Sequence, residues 1–156
     1  MHQRRMKKDV IGMANPEHEA IVRKGHKAIV KWKQKHWDTD ETLDLSGADL
    51  RNLDLSDANL YHVRFAGADL FHVNFFESSI LKSDFSGADL SWADACFADL
   101  SGCNFMNAKL RYANFLSANL SEANLSGADL SFANLTAAAL LEADLSNSYL
   151  HATKFY

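Results

Sequence analysis

The sequence predicts an all-β solenoid of five-residue units, four to a coil, with an amphipathic helix covering its N-terminal end. Three observations predict it. An apolar residue falls at every fifth position from Leu45 to Phe155, a small residue stands two places before most of these, and Gly or Asn recurs every twenty residues.

The apolar series comprises 23 positions, and not one is polar. The set two places before it is chiefly Ala, from Ala48 to Ala143, with Leu43, Leu53, Val63, Val73, Ser78, Ser83, Cys103, Ser148 and Thr153 as exceptions. A period of five fits neither the 3.6 of a helix nor the 2.0 of a strand. It requires a chain that bends regularly, turning one large and one small side chain inward per unit. The other three positions are rich in Asp, Asn, Ser and Gly, which suit turns because Asx side chains bond the nearby backbone. Such a unit cannot bury its apolar side alone, so coils must stack.

The number of units per coil is read from Gly47, Gly67, Gly87, Asn107, Gly127 and Asn147, spaced by twenty. Gly and Asn accept a left-handed backbone, so the column predicts one corner of special backbone per twenty residues, hence four units per coil. The six Phe of the apolar series agree, because all fall at odd multiples of five, on two sides of the square.

The units Ala48-Asp49-Leu50-Arg51-Asn52, Ala68-Asp69-Leu70, Ala88-Asp89-Leu90-Ser91-Trp92 and Ala128-Asp129-Leu130-Ser131-Phe132 resemble the A(D/N)LxX repeat of the pentapeptide-repeat protein family. The resemblance covers residues 43–156 without interruption. It implies a right-handed quadrilateral β-helix with four repeats per 20-residue coil, here between five and six coils. At the spacing of adjacent strands the column is about 27 Å long.

Ala95 is the one small residue in the large series, placed between Phe75 and Phe115 of the neighbouring coils. In a close-packed core this reads as volume compensation rather than a ligand cavity.

Three segments follow: a disordered basic tail at 1–14, an amphipathic capping helix with its connection at 15–42, and the solenoid at 43–156. Asn15 and Pro16 form a helix start, with Glu17 and Glu19 in the first turn. A single helix is expected over 16–37. Ile21, Val22, Ile29 and Trp32 lie on its apolar face and are the candidate cap over the exposed first coil. The competing reading gives Trp32, Trp37 and the lysines to a membrane surface or a partner.

Charge is segregated. Residues 1–42 hold ten basic and six acidic residues, a net +4, and residues 43–156 hold six basic and fourteen acidic, a net −8. This permits polyanion contact at one end, or is plain surface solvation. The two cysteines match no metal or redox spacing, and no apolar run has the length of a membrane span, so a reducing, cytoplasmic setting is expected. The seven histidines lack zinc-site spacing, and no phosphate-binding Gly loop is present. The Ser and Asp are periodic turn residues without a positioned base or a pocket. No catalytic, cofactor or metal site is expected, and the chain is not expected to be an enzyme.

The candidate interaction surface is the outward ladder His72, Trp92, Tyr112, Phe132, with Phe71 and Phe97 beside it. A second candidate is the bare C-terminal layer of Leu150, Phe155 and Tyr156, where an end-to-end homodimer would bury an open edge. The expected role is a non-catalytic structural or protein-interaction module with an unidentified protein partner, no direct nucleic acid binding and no membrane. The alternative comes from the resemblance: the family includes topoisomerase-protecting proteins whose acidic columns mimic DNA. The ladder Asp49, Asp69, Asp89, Asp129 permits this, although Lys109 and Tyr149 interrupt it.

Overall fold

The computed structural model describes residues 14–156. The chain forms a right-handed quadrilateral β-helix preceded by two short helices. Each coil pairs in parallel with the next at a constant offset: Asp49 with Asp69, Asp69 with Asp89, Asn114 with Asn134. Every such pair is separated by twenty residues, so four units make one turn.

The repeat is explained by where its five backbone N–H groups go. In the unit 68–72, Ala68 N–H closes a turn on Phe65 O (2.9 Å). Asp69 N–H donates to Ala48 O in the preceding coil (2.9 Å), and Leu70 N–H to Asp89 O in the following one (2.8 Å). His72 N–H reaches Ser91 O (3.0 Å). Only Phe71 N–H lacks a backbone partner, and Asp69 Oδ1 accepts it at 3.2 Å. Asn serves equally, as at Asn74 and Asn114. The Asx before the large residue therefore satisfies a donor that neither turn nor sheet can use.

Polar intruders in the small inward column follow the same rule. Ser83 Oγ donates to Leu60 O (2.8 Å), Cys103 Sγ to Ile80 O (3.1 Å) and Thr153 Oγ1 to Leu130 O (2.8 Å). Each stitches its coil to the preceding one. Burial pushes the Cys103 thiol up to about 12, so it is an inert core group.

Inside, Phe65, Phe85 and Phe105 form a stack with centroids 4.7 and 4.9 Å apart. Phe75 meets Phe65 and Phe85 edge-on, each at 6.1 Å. Phe115 meets Phe105 edge-on at 6.4 Å. Ala95 is fully buried in the column of Phe75 and Phe115.

Two expectations are corrected. The left-handed backbone is not confined to one corner: Asn52, Asp57, His62 and Gly67, on four successive corners, have φ of 58, 55, 55 and 65°. All four corners impose the same demand, and ordinary residues meet it because the hydrogen bonds of two neighbouring coils hold them there. The Gly–Asn column marks the period, but unusual backbone is not its cause.

The single helix over 16–37 is two helices, α1 (Pro16–Arg23) and α2 (His26–Lys35). They break at Gly25, whose φ of 80° ends the first and starts the second. Asn15 caps α1 through its side chain, accepting from Glu17 N–H at 3.0 Å. Of the expected tail, residues 1–13 lie outside the described residues, and Ala14 packs against the core.

Val22 of α1 and Ile29 of α2 are fully buried in one cluster with Leu43, Leu45, Leu50 and Leu55 of the first coil. Ile21 and Trp32 are half-buried against it. Polar contacts fix the same seat. The Arg23 guanidinium donates to Asp49 O, and Asp44 N–H donates to Nδ1 of the buried His18 at 2.9 Å.

Candidate interaction face

Two neighbouring corners of the square carry most of the solenoid's exposed aromatic side chains, with Tyr61 and Tyr149 lying outside them. The first corner takes residues 71–72, 91–92, 111–112, 131–132 and 151–152. Trp92 and Tyr112 stack at 4.4 Å with 13° between planes, and Tyr112 and Phe132 at 4.9 Å with 6°. His151 closes the end edge-on to Phe132 at 5.2 Å. His72, expected in the same stack, instead makes its ring contact sideways with Phe71 at 6.1 Å.

The stack follows from the fold. Residues twenty apart sit one strand spacing apart, about 4.8 Å, which is close to the separation rings prefer when offset-stacked. Arg111 lies 5.8 Å from the Tyr112 centroid and 5.9 Å from that of Phe132, and its Nη1 is 3.1 Å from Asp129.

The next corner carries Phe76 and Phe97, in edge contact at 5.9 Å, with Leu116 and the nearly buried Cys96. Sequence reasoning placed Phe97 among the candidates. It also set Phe76 on the same side as Phe97, and the structure adds their edge contact across an offset of 21.

Between these two rails runs a ladder of amides and carboxylates. Asn74 Nδ2 donates to Asp54 Oδ1 (2.9 Å), Asn114 Nδ2 to Asp94 Oδ1 (3.2 Å) and Asn134 Nδ2 to Asn114 Oδ1 (3.1 Å). The whole face with its corners, residues 51–57, 71–77, 91–97, 111–117, 131–137 and 151–156, carries Arg51, Arg111 and Lys154 against Asp54, Asp57, Glu77 and Asp94. It thus holds a net −1 of the solenoid's −8.

The adjoining face bears the aspartate ladder, and all four carboxylates are ion-paired. Arg51 Nη2 lies 2.6 Å from Asp49 Oδ2, and its Nε 3.5 Å from Asp69 Oδ2. Lys109 Nζ is 3.3 Å from Asp89, and Arg111 pairs with Asp129. The Arg51 hydrogen bond holds the Asp49 carboxyl down at about 2. Sequence reasoning missed Arg51 and Arg111 as counter-ions, since one is two residues from its partner and the other eighteen.

At the C-terminal end Leu150 and Phe155 are each 41% exposed and Tyr156 wholly so, while Leu145 is half-buried. At the other end an open cleft of about 280 Å³ lies between α2 and the first coil, lined by Trp32, Lys33, His36, Trp37, Glu41 and Tyr61. Lys33 Nζ sits 3.6 Å over the Tyr61 ring and donates to Tyr61 O at 2.7 Å. Burial lowers its pKa to about 8. Trp32 is sandwiched between His36, stacked at 4.3 Å, and the edge of His18. Among the described residues no cluster of His, Cys, Asp or Glu could hold a metal ion, and no helix is long and apolar enough to cross a membrane.

The family profile described as pentapeptide repeats matches residues 44–75, 83–127 and 128–156, in 8 copies. The chain belongs to the pentapeptide repeat family. Pentapeptide repeat proteins are generally non-catalytic structural or interaction modules. Among solved structures, Rfr23 from the cyanobacterium Cyanothece 51142 is 22% identical over 81% of this chain and 99% of its own, with a TM-score of 0.70. That likeness is one of fold. HetL of Nostoc sp. strain PCC 7120, involved in heterocyst differentiation regulation, is 33% identical over 73% of this chain and 66% of its own, with a TM-score of 0.45. QnrB1, a plasmid-mediated fluoroquinolone resistance protein, is 22% identical in a trypsin-treated form over 74% of this chain and 76% of its own, with a TM-score of 0.33. No curated protein sequence matches this chain.

Proposed function

We propose that this pentapeptide repeat chain is a non-catalytic protein-interaction module that docks a partner protein on the face between the Trp92 and Phe97 corners. The observation that carries this is the pairing of two exposed aromatic rails with near-zero charge, on a solenoid that is otherwise strongly acidic. Exposed apolar side chains set among polar groups mark interfaces, and Trp and Tyr are the side chains that anchor them.

Tyr112 has a ring on both faces and shows its edge to solvent, while Trp92 ends the stack with a ring on one face only. Apolar and aromatic protein side chains pack on ring edges and on ring faces.

DNA mimicry is the weaker reading. It needs a column of uncompensated negative charge, but the four ladder aspartates share Arg51, Lys109 and Arg111. Their side chains are also occupied as turn acceptors, as at Asp89 for Ser91 N–H. The exposed layer of Leu150, Phe155 and Tyr156 is proposed as the surface on which two copies meet. Sedimentation of the full chain tests it, and a monomer at all concentrations removes it.

A pull-down comparing the wild type with the Trp92→Ser/Tyr112→Ser double variant tests the aromatic face. Loss of a specific partner in the folded variant is expected, and identical partners would remove the reading. A gyrase supercoiling assay with and without fluoroquinolone separates the mimic: the interaction module gives neither protection nor inhibition.

A further inference from the structure

The outward side of the helical cap is a second surface, independent of the aromatic face. Helix α2 contains Lys27, Lys31, Lys33 and Lys35 and no acidic residue. Lys33 is turned inward onto Tyr61, as described. The other three recur at every fourth position, so they form one stripe rising about 6 Å per step, opposite the buried Ile29. Because Ile29 faces the first coil, this stripe faces away from the column. Lys24, at the end of α1, is also exposed.

These cations are uncommitted. Among the described residues Lys24, Lys27, Lys31 and Lys35 enter no ion pair, nor do Lys82 and Lys154, whereas Arg51, Arg64, Lys109 and Arg111 of the solenoid do. Just past the end of α2, Trp37 is 80% exposed at the rim of the cleft toward Tyr61, followed by the exposed Asp38 and Asp40, in contrast to Trp32, which packs inward.

We propose that the outer face of the cap docks on an anionic lipid surface, with Lys27, Lys31 and Lys35 over the headgroups, Trp37 at the interface and the solenoid pointing away. A lysine stripe with an exposed indole past its end, at the rim of the cap, suits the membrane–water boundary, where amphipathic rings are favoured and basic residues are drawn to anionic lipid. The acidic solenoid does not oppose this end-on arrangement. Screening cuts charge interactions beyond about 8–10 Å, and most of the column of about 27 Å lies outside that range. The expectation of no membrane partner rested on giving the helix to the cap and on the want of a spanning segment, but the lysine stripe lies on the side the cap leaves open and a peripheral contact needs no span.

The test is co-sedimentation of the full chain with vesicles of phosphatidylcholine containing phosphatidylglycerol, against vesicles of phosphatidylcholine alone. Binding to the anionic vesicles only is expected, weakening with added salt. Lys27→Glu/Lys31→Glu/Lys35→Glu, folded by circular dichroism, is expected to bind at least tenfold more weakly. Tryptophan emission is expected to shift to the blue on binding, and Trp37→Ser to abolish that shift. Equal binding to both vesicles, undiminished binding by the triple variant, or binding of duplex DNA in place of vesicles would overturn the proposal. Variants of the aromatic face leave this binding unchanged, so the two readings fail separately.

Discussion

Trp92 and Tyr112, twenty residues apart in sequence, lie ring on ring at 4.4 Å on the outside of the solenoid. Tyr112 is the middle ring of the three and Trp92 the end one, which separates their expected roles. Removing Tyr112 breaks two stacked contacts, each worth about 0.5–1.5 kcal/mol. Tyr112→Ser should therefore cost roughly 1–3 kcal/mol in urea unfolding. Trp92→Ser breaks one and should cost about half as much.

Ala95 stands where its column otherwise carries Phe75 and Phe115. Ala95→Leu forces extra volume into a closed layer and should cost about 1–3 kcal/mol by overpacking. An unchanged melting temperature would mean that the layer holds spare space.

Ala137 is exposed at a corner with φ of 56°, a backbone for which a Cβ is costly. Ala137→Gly should stabilise the chain by about 0.5–1 kcal/mol, because relief of the left-handed strain exceeds the added entropy of the unfolded chain. A loss of stability would show that this corner is not strained.

Deleting residues 1–40 removes Val22 and Ile29 from the layer of Leu43, Leu45, Leu50 and Leu55. Open strand edges over an apolar layer should make the truncated chain aggregate. A monomeric, folded truncation by light scattering would show that the helices do not serve as a cap.

Several carboxyls are held below the usual range: Asp49 by Arg51, Asp54 by hydrogen bonds from Ser56, and Asp144 by those from Ser146. Each ionises more readily folded than unfolded, so its stabilisation is full above the ordinary carboxyl value near 3.8. It is lost as pH falls toward the folded value, about 2 for Asp49. The melting temperature should therefore drop between these limits. Asp54→Asn/Asp144→Asn should flatten the drop at little cost in neutral solution, since Asn keeps the acceptor that the turn requires.

The fold was legible because each unit repeats one solution to one problem, the pairing of five N–H groups and the burial of two side chains. The same redundancy hid the corners. Glu77, Lys82 and Trp92 give no local sign of left-handed backbone, since the constraint comes from the coils beside them. Gly25 was legible as a weak point in a helix, but the break it makes depends on how both halves seat on the first coil. The aromatic stack could be read as a ladder from spacing alone. That His72 leaves it for Phe71 could not, because a ring's direction at a corner is set by its neighbours. The neutralised aspartate ladder was hidden for the same reason, as Arg51 and Arg111 reach across positions that share no register with their partners.

The measurement that bears most directly on the account is the pattern of backbone proton cross-peaks in the nuclear magnetic resonance spectrum of the labelled chain. The coil of twenty residues predicts peaks joining Asn114 to Asp94 and to Asn134, its parallel neighbours on either side. Peaks joining Asn114 instead to Asp129 or Ala139 would mean another number of units per turn, and the ladders, the aromatic rails and the seat of the cap would all be misplaced.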